Sequence, residues 1–453
     1  MEFDLRENRR KAFAGARRKV GLTQESLAAK IGVESGTVGR WERGETDPTP
    51  GLRRTVASAL GLSFAQLDAV LAGAVRPGPA VGSVRASQED WLRTRRAPGV
   101  RGRELTELAA WLYPRADRAP GGHVLAGPGW LPPEPIPVES VGLHRVTDFP
   151  AFAPPPVPVD HLLPLGDNGS RYRHYSRAVR DLVRPRLLEN RPSYRLVDVD
   201  TANGLRLGFG STTFFETFDL KQLVAHEFKH AWLAGGGRPP GFGDLPLRTA
   251  IANPFDPARL LMSPGINTLT LRRGTRREGI GFVLHERDGG KVADGGGLCH
   301  VMPAGEFQPS SAADQPGDFS LWHNALREFS EEFLGNSEHD GSGRPIDYRW
   351  DEPFFRFEAA RERGTFRLWH LGLVIEPLEL GVQQLTVAVV DGPEFDALFS
   401  DMVAVNDEGG VVLDRSGARY LPFTADAVDR LEPRLSATAL TLLRLALDRG
   451  FGR

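Results

Sequence analysis

One cysteine, Cys299, serves a chain of 453 residues. That excludes a disulfide framework and a cysteine-rich zinc finger, and it suits a reducing cytoplasm. Net charge is nearly absent as well, with 56 Lys and Arg against 58 Asp and Glu. Such a balance exerts no global pull toward nucleic acid, so any basic surface must be local. The opening residues, "MEFDLRENRRKAF", lack the apolar core of a signal peptide. No run approaches the ~20 apolar residues that a membrane-spanning helix needs. These absences point to a cytoplasmic chain without membrane segments. What the chain has is length, enough for two to three domains, and a globular composition of 40% apolar and 25% charged residues.

Residues 1–75 carry short helical patterns punctuated by glycine, with twelve Lys or Arg against nine Asp or Glu in an otherwise slightly acidic chain. A first helix spans 6–19. Thr23 can cap a second helix that runs to about Ile31, with Gly32 ending it. "VESGTVGRWERGE" supplies a third, which Gly44 can terminate, and 49–60 and 63–71 read as a fourth and fifth. The stretch "GLTQESLAAKIGVESGTVGRWERGETDPTP" resembles the Cro/repressor-type (XRE) helix-turn-helix family. In that family the second helix crosses the phosphate backbone and the third lies in the major groove. The resemblance implies double-stranded DNA as partner and a homodimer. It makes Gln24 a phosphate contact, Ser35, Gly36, Thr37 and Arg40 the groove-facing set, and Arg43 a residue near the backbone. Val38 and Trp41, three apart, belong to the core. Glu34 stands where the family has a small capping hydroxyl, and Gly36 and Gly39 each weaken the third helix by roughly 1 kcal/mol relative to Ala.

Residues 76–87 turn to Pro, Gly and Ser, as a flexible linker does. The region 88–265 reads as mixed α/β. It holds helical patterns around 89–96 and 104–113, and a proline-rich segment, 120–164, that should run extended over a neighbour. "YSRAVRDLVRPRLLEN" follows as helix, and "SYRLVDVD" and "LRLGFG" as strands. Arg93, Arg95, Arg96, Arg101 and Arg103 form a basic cluster that reads as a solvated face, with an extended DNA footprint as the alternative.

"LVAHEFKHAWLA" contains His226-Glu227-Phe228-Lys229-His230, the spacing of a zinc peptidase helix. His226 and His230, four apart, can bind one Zn²⁺, with Glu227 as the base on zinc-bound water. Against this, Leu220, Val224, Phe228 and Ala231 form the apolar stripe of a helix over 220–233, started by Asp219 and Gln222. His226 then falls on a polar, solvated face with Gln222 and Lys229. An ammonium on that turn opposes a dication, and downstream only Asp244 is at hand. The favoured expectation is a structural helix whose histidines face solvent.

From Asn267 the pattern becomes strands ("NTLTLRR", "GIGFVLHERDG", "GLCHVMPAGEF"), then the helix "FSLWHNALREFSEEFLG", then strands "FRLWHLGLVIEPLEL" and "QQLTVAVVD". Glu328, Glu331 and Glu332 lie at i, i+3 and i+4, which places three carboxylates on one exposed helical face. A divalent cation such as Mg²⁺ is the usual reason to gather them. "MPAGEF" and "ALREFSEE" resemble the Nudix family, whose motif runs from a glycine turn to an Arg-Glu-x-x-Glu-Glu helix. The resemblance covers about 266–425 and implies an α/β/α sandwich. It makes Glu328, Glu331 and Glu332 Mg²⁺ ligands oriented by Arg327, facing a groove beside Gly305. The chain departs from the motif at three points. Gly305 stands about eight residues further from Arg327 than the family spacing, Phe319 occupies the position of the upstream glutamate, and Leu334 that of the closing glycine. Arg272, Arg273, Arg276 and Arg277 are candidates to meet phosphates.

The expected architecture is therefore multidomain. It comprises an all-α helix-turn-helix domain (1–75), a linker (76–87), the mixed α/β middle (88–265), a Nudix-like α/β/α sandwich (266–430) and a C-terminal helix (431–453). The expected function is a transcriptional regulator whose Nudix-like part senses a nucleotide-like ligand or mediates assembly. The alternatives are a DNA-targeted Nudix hydrolase and a helix-turn-helix zinc peptidase.

Overall fold

A computed structural model describes residues 13–43, 45–62, 67, 70–71, 81–97, 99–100, 102–185, 188–287, 297–311, 317–337, 345–403, 409–412 and 419–453. The chain forms two compact units, Met1–Glu89 with Leu165–Arg171, and Asp90–Pro164 with Tyr172–Arg453.

The first unit is helical: α1 (13–19), α2 (Gln24–Ile31), α3 (Ser35–Arg43) and α4 (Pro50–Leu60). The Thr23 hydroxyl accepts the Ser26 amide at 3.0 Å while Ser26 Oγ accepts the Thr23 amide at 2.6 Å, a reciprocal cap that starts α2. Gly32, with φ 74°, ends it in the left-handed conformation that glycine adopts without penalty. Leu27, Ile31, Val38, Trp41, Val56 and Leu60 share one core with Phe13, and Phe13 meets Trp41 edge-on at 6.2 Å. Gly44 and most of the expected fifth helix lie outside the described residues, but Leu67 and Leu71 join the same core. A fifth helix in the structure, α5 (Val81–Arg96), replaces the second half of the expected linker. The rest of that linker lies outside the described residues.

The second unit is mixed α/β. Its strands are β1 (Ile136–Pro137), β2 (Gly142–Arg145), β3 (Pro192–Asp200), β4 (Arg206–Thr213), β5 (Gly265–Arg273), β6 (Ile280–Phe282) and β7 (Leu284–Arg287). They continue as β8 (Cys299–Val301), β9 (Ala304–Gly305), β10 (Phe366–Glu376), β11 (Gly381–Asp391), β12 (Gly409–Val411) and β13 (Leu421–Pro422). The main sheet runs β1-β10-β11-β5-β6-β13, with β9 also on β5. β5 and β11 are parallel, whereas β10 and β11 form a long antiparallel pair. Two smaller sheets are β12-β7-β8 and β2-β4-β3.

Helices cover both faces of the main sheet. Ile266, Ala388 and Val390 point into a core with Leu326 and Phe329 from α10 (Leu321–Glu328) and its continuation, and with Phe357 from α11 (Phe354–Glu362). Leu269, Leu271, Leu385 and Val387 point the other way, into a core with Val428 of α13 (Ala425–Leu431) and Leu440 and Leu443 of α14 (Ala437–Asp448). Strands buried on two faces need continuous apolar runs, which is why "TVAVV" shows no alternation.

The expected boundary at 265/266 does not separate two units. The proline-rich segment contributes β1 to the edge of the main sheet, where Pro137 requires no ladder donor. Leu125 bridges to Ile375, and Tyr194, Leu207 and Val224 share a core with Ile266 and Leu373. The remaining helices are α6 (Glu104–Ala110), α7 (Tyr175–Leu182), α8 (Phe214–Ala234), α9 (Pro246–Ile251) and α12 (Gly392–Leu398). α8 starts six residues before its expected position, where the Glu216 carboxylate accepts the Thr213 amide at 3.0 Å. Asp219 serves another helix, accepting the Ser176 amide at 2.6 Å in the first turn of α7.

Candidate functional sites

On α3, Ser35, Gly36, Arg40 and Arg43 are exposed and Thr37 is half-buried, while Val38 and Trp41 face inward. Arg40 Nη2 donates to the Thr37 hydroxyl at 3.0 Å. Arg43 grips the exposed Glu45 carboxylate at 2.6 Å, a pairing that water and salt weaken readily. Beneath this surface lies a buried pair absent from the sequence reading, in which Arg17 Nε donates to Glu42 Oε1 at 2.6 Å. Arg17 Nη1 also donates to the Leu22 carbonyl, and Gln24 Nε2 donates to the second Glu42 oxygen. The Gln24 amide is thereby held between α2 and α3. The available signal was Glu42 itself, a carboxylate beside the core residue Trp41.

The histidine helix differs from expectation. His226, Glu227 and Lys229 are all buried, so they form no solvated face. The wheel argument assumed one apolar stripe against one neighbour, but α8 is covered on several sides. Trp91 stacks on His226 at 5.8 Å, and the Tyr175 hydroxyl lies 3.1 Å from His226 Nδ1. Burial first, and the positive charge of Lys229 second, hold the His226 imidazole down at about 3. Glu227 caps α9, accepting the amides of Leu247 at 2.6 Å and Arg248 at 3.0 Å. Arg248, also buried, reaches the carbonyls of Pro377 at 2.7 Å and Leu378 at 2.6 Å. Burial raises the Glu227 carboxyl above its ordinary value, against the opposing effect of those two amides. Both carboxylate oxygens thus hold backbone. His230 is exposed, edge-on to His161 at 6.5 Å.

The carboxylate helix also departs from regular spacing. α10 ends at Glu328, and Phe329–Phe333 continue as one wider π turn, a distortion frequent at functional sites. The three carboxylates therefore share no exposed face: Glu332 is buried, and Glu328 and Glu331 are half-buried. Glu332 Oε1 accepts the Ala304 amide at 2.8 Å. A Cβ on Gly305 would lie 2.1 Å from the Glu328 carboxyl, so the helix rests on the β9 glycine and the expected groove is closed there. Arg327 turns away from the acids. It donates to Tyr348 Oη at 2.6 Å, the Gln308 carbonyl at 2.7 Å and Asn324 Oδ1 at 2.9 Å, and pairs with buried Asp318 at 3.4 Å. Asp318 in turn accepts the Ser310 amide at 3.0 Å and its hydroxyl at 2.8 Å. Arg327 therefore ties the preceding loop to the helix. Among the described residues no group of three or more His, Cys, Asp or Glu side chains is placed to hold a metal ion.

Two basic clusters are structural in part. Arg272 is buried and pairs with Asp396 of α12 at 2.6 Å, and Arg273 pairs with Asp391, whereas Arg276 and Arg277 are exposed. Arg95 donates to Gln222 Oε1 at 2.5 Å, and Arg103 pairs with Glu432 at 3.2 Å. Arg93 pairs with Asp90 on the surface and Arg96 is exposed, while Arg101 lies outside the described residues.

With α1–α4 in place, the comparison with known families is specific. Residues 15–67 match the helix-turn-helix family model of the XRE type. The match begins in α1, takes in the α2–α3 pair and ends at the core residue Leu67. No curated protein matches the chain. No helix among the described residues is long and apolar enough to cross a membrane.

Proposed function

We propose that the protein is a DNA-binding transcriptional regulator of the cytoplasm, acting as a homodimer whose second unit senses a small ligand or mediates assembly. The observation that carries this reading is α3, which buries Val38 and Trp41 and exposes Ser35, Gly36, Arg40 and Arg43 beside a held Gln24. Phosphate contacts from Gln24 and Arg43 would set the register, and Arg40 would read a base edge. One such module reads a half-site, hence the dimer. The test is a binding-site selection with the full chain, followed by titrations on the selected duplex. Arg40→Ala is expected to weaken binding by ~1–3 kcal/mol and blur one base position. Absence of any salt-dependent binding would remove the regulator reading.

A Nudix-like second unit belongs to the same proposal, supported by Glu328 and Glu332 converging on the Ala304–Gly305 strand. The acids as placed do not fit Mg²⁺. One Glu332 oxygen holds a backbone amide, Glu328 packs on Gly305, and Arg327 serves the loop. Sensing a nucleotide-like ligand is therefore favoured over hydrolysis.

A further inference from the structure

The histidine helix α8 has no role in the DNA reading, yet it gathers basic groups from three elements of the second unit. Arg95 comes from α5, His161 from the turn Asp160–Leu162, and His226, Lys229 and His230 from α8 itself. Their contacts are with neutral groups. Arg95 Nη1 donates to Gln222 Oε1 at 2.5 Å and lies 3.5 Å from the Tyr175 hydroxyl. Lys229 Nζ donates to the Arg95 carbonyl at 3.2 Å, and His226 Nδ1 shares a hydrogen bond with Tyr175. The nearby acid on α8, Asp219, is engaged by His174 and the Ser176 amide.

The cluster is graded from surface to interior. His161 and His230 are exposed, Arg95 is half-buried, and Lys229 and His226 are buried. The electrostatics agree with the geometry. After burial, the groups that hold His226 neutral are Lys229, His230, Arg95 and His161, all of them basic. Like charges gathered against a low-dielectric wall focus a positive potential, which attracts a compact anion and repels a metal cation. A zinc site on the same histidines would have to form beside Arg95 and Lys229.

We propose that His161 and His230 form the mouth of an anion-binding site, backed by Arg95 and Lys229, that takes the phosphate group of a small molecule. The imidazole edges contact the phosphate oxygens, and the two interior cations supply the field behind them. The proposal deepens the reading of the second unit as a ligand sensor and rests on it. It makes the phosphate-bearing end of the ligand bind at α8 rather than at the carboxylate helix.

The test is calorimetric titration of the full chain with inorganic phosphate and, separately, with a nucleoside monophosphate. The comparison is His161→Gln/His230→Gln, whose changes lie on the surface, and Lys229→Met as a second variant. One saturable site is expected, weakened by about tenfold, or ~1.4 kcal/mol, in the double variant. Unchanged thermal unfolding would show that the double variant is folded. Saturable binding of the monophosphate alone places the preferred ligand among phosphate esters, and binding of both places recognition in the phosphate itself. No saturable binding to millimolar concentration overturns the proposal, as does binding untouched in both variants. Stoichiometric Zn²⁺ uptake lost in the double variant would replace the anion site with a metal site. Operator affinity measured on the same samples keeps the two readings distinguishable, since loss of phosphate binding with intact DNA binding leaves the regulator in place.

Discussion

Glu227 caps a helix to which it does not belong, its carboxylate accepting the Leu247 amide at 2.6 Å. The second oxygen accepts the Arg248 amide, so Glu227 ties α8 to α9 from inside the protein. A glutamine in its place turns an N–H toward an N–H. Glu227→Gln is expected to lower stability by ~2 kcal/mol and Glu227→Ala by ~3 kcal/mol, because buried amides lose charge-assisted acceptors. Urea unfolding of the full chain checks this. Unchanged midpoints in both variants would remove the capping role.

Two buried imidazoles set an acid limit on folding. Burial holds His370 down at about 4, and burial with Lys229 behind it holds His226 at about 3. The unfolded chain protonates the same rings near the ordinary value of ~6.5. Between these values the unfolded state binds more protons, so the stability contribution is complete above ~6.5. It is lost as pH falls through that value toward 4 for His370 and 3 for His226. Each ring contributes a slope of up to ~1.4 kcal/mol per pH unit in its window. Unfolding free energies at pH 7, 6 and 5 should fall more steeply in the wild type than in His226→Gln or His370→Gln. Parallel curves would contradict the assignment.

The parts of the fold visible in the sequence are those governed by one neighbour or one period. Val38 and Trp41 sit three apart on a short helix with a single core behind it, and the sequence places them correctly. The strands around "LTLRR" and "TVAVV" were legible because β-branched and apolar runs bounded by turns admit few other structures. His226 was not legible. A helical wheel presumes one buried stripe, and α8 is wrapped by Trp91, Tyr175 and the cap it gives to α9. The carboxylate helix failed for a related reason. Its i, i+3, i+4 arithmetic holds for an α-helix, and the π turn at Phe329–Phe333 rotates Glu331 and Glu332 off that face. The separate middle domain failed because strand pairing between β1 and β10 spans more than two hundred positions of chain, which no local pattern records.

Gly372 makes the second unit intolerant of one methyl group. Its φ is 129°, and an added Cβ would lie 2.2 Å from the Trp130 carbonyl oxygen. That carbonyl accepts the Leu373 amide at 2.9 Å, so the 125–131 segment is bound directly to β10. Gly372→Ala is expected to cost ~3 kcal/mol or more, from backbone strain together with displacement of the segment. Gly36→Ala is the contrasting case, since Gly36 is helical with open space around it. It should stabilise the first unit by up to ~1 kcal/mol. Thermal unfolding followed separately for the two units, by hydrogen exchange, reports both signs. A neutral Gly372→Ala would mean that the contact yields.

Glu331 decides whether the carboxylate helix retains any chemistry. Its neighbours have other tasks, with Glu332 on the Ala304 amide and Arg327 on the Gln308 carbonyl. Catalysis tolerates displacements of ~1 Å poorly, and here the acids are separated by a change of helical pitch. Weak or absent hydrolysis of dinucleotides and nucleotide sugars is therefore expected, with Mg²⁺ or Mn²⁺ supplied, and Glu331→Gln should leave that background unchanged. The same variant should retain operator binding, because α3 lies in the other unit. Robust turnover abolished by Glu331→Gln would reverse the order of the two readings and make the second unit a hydrolase.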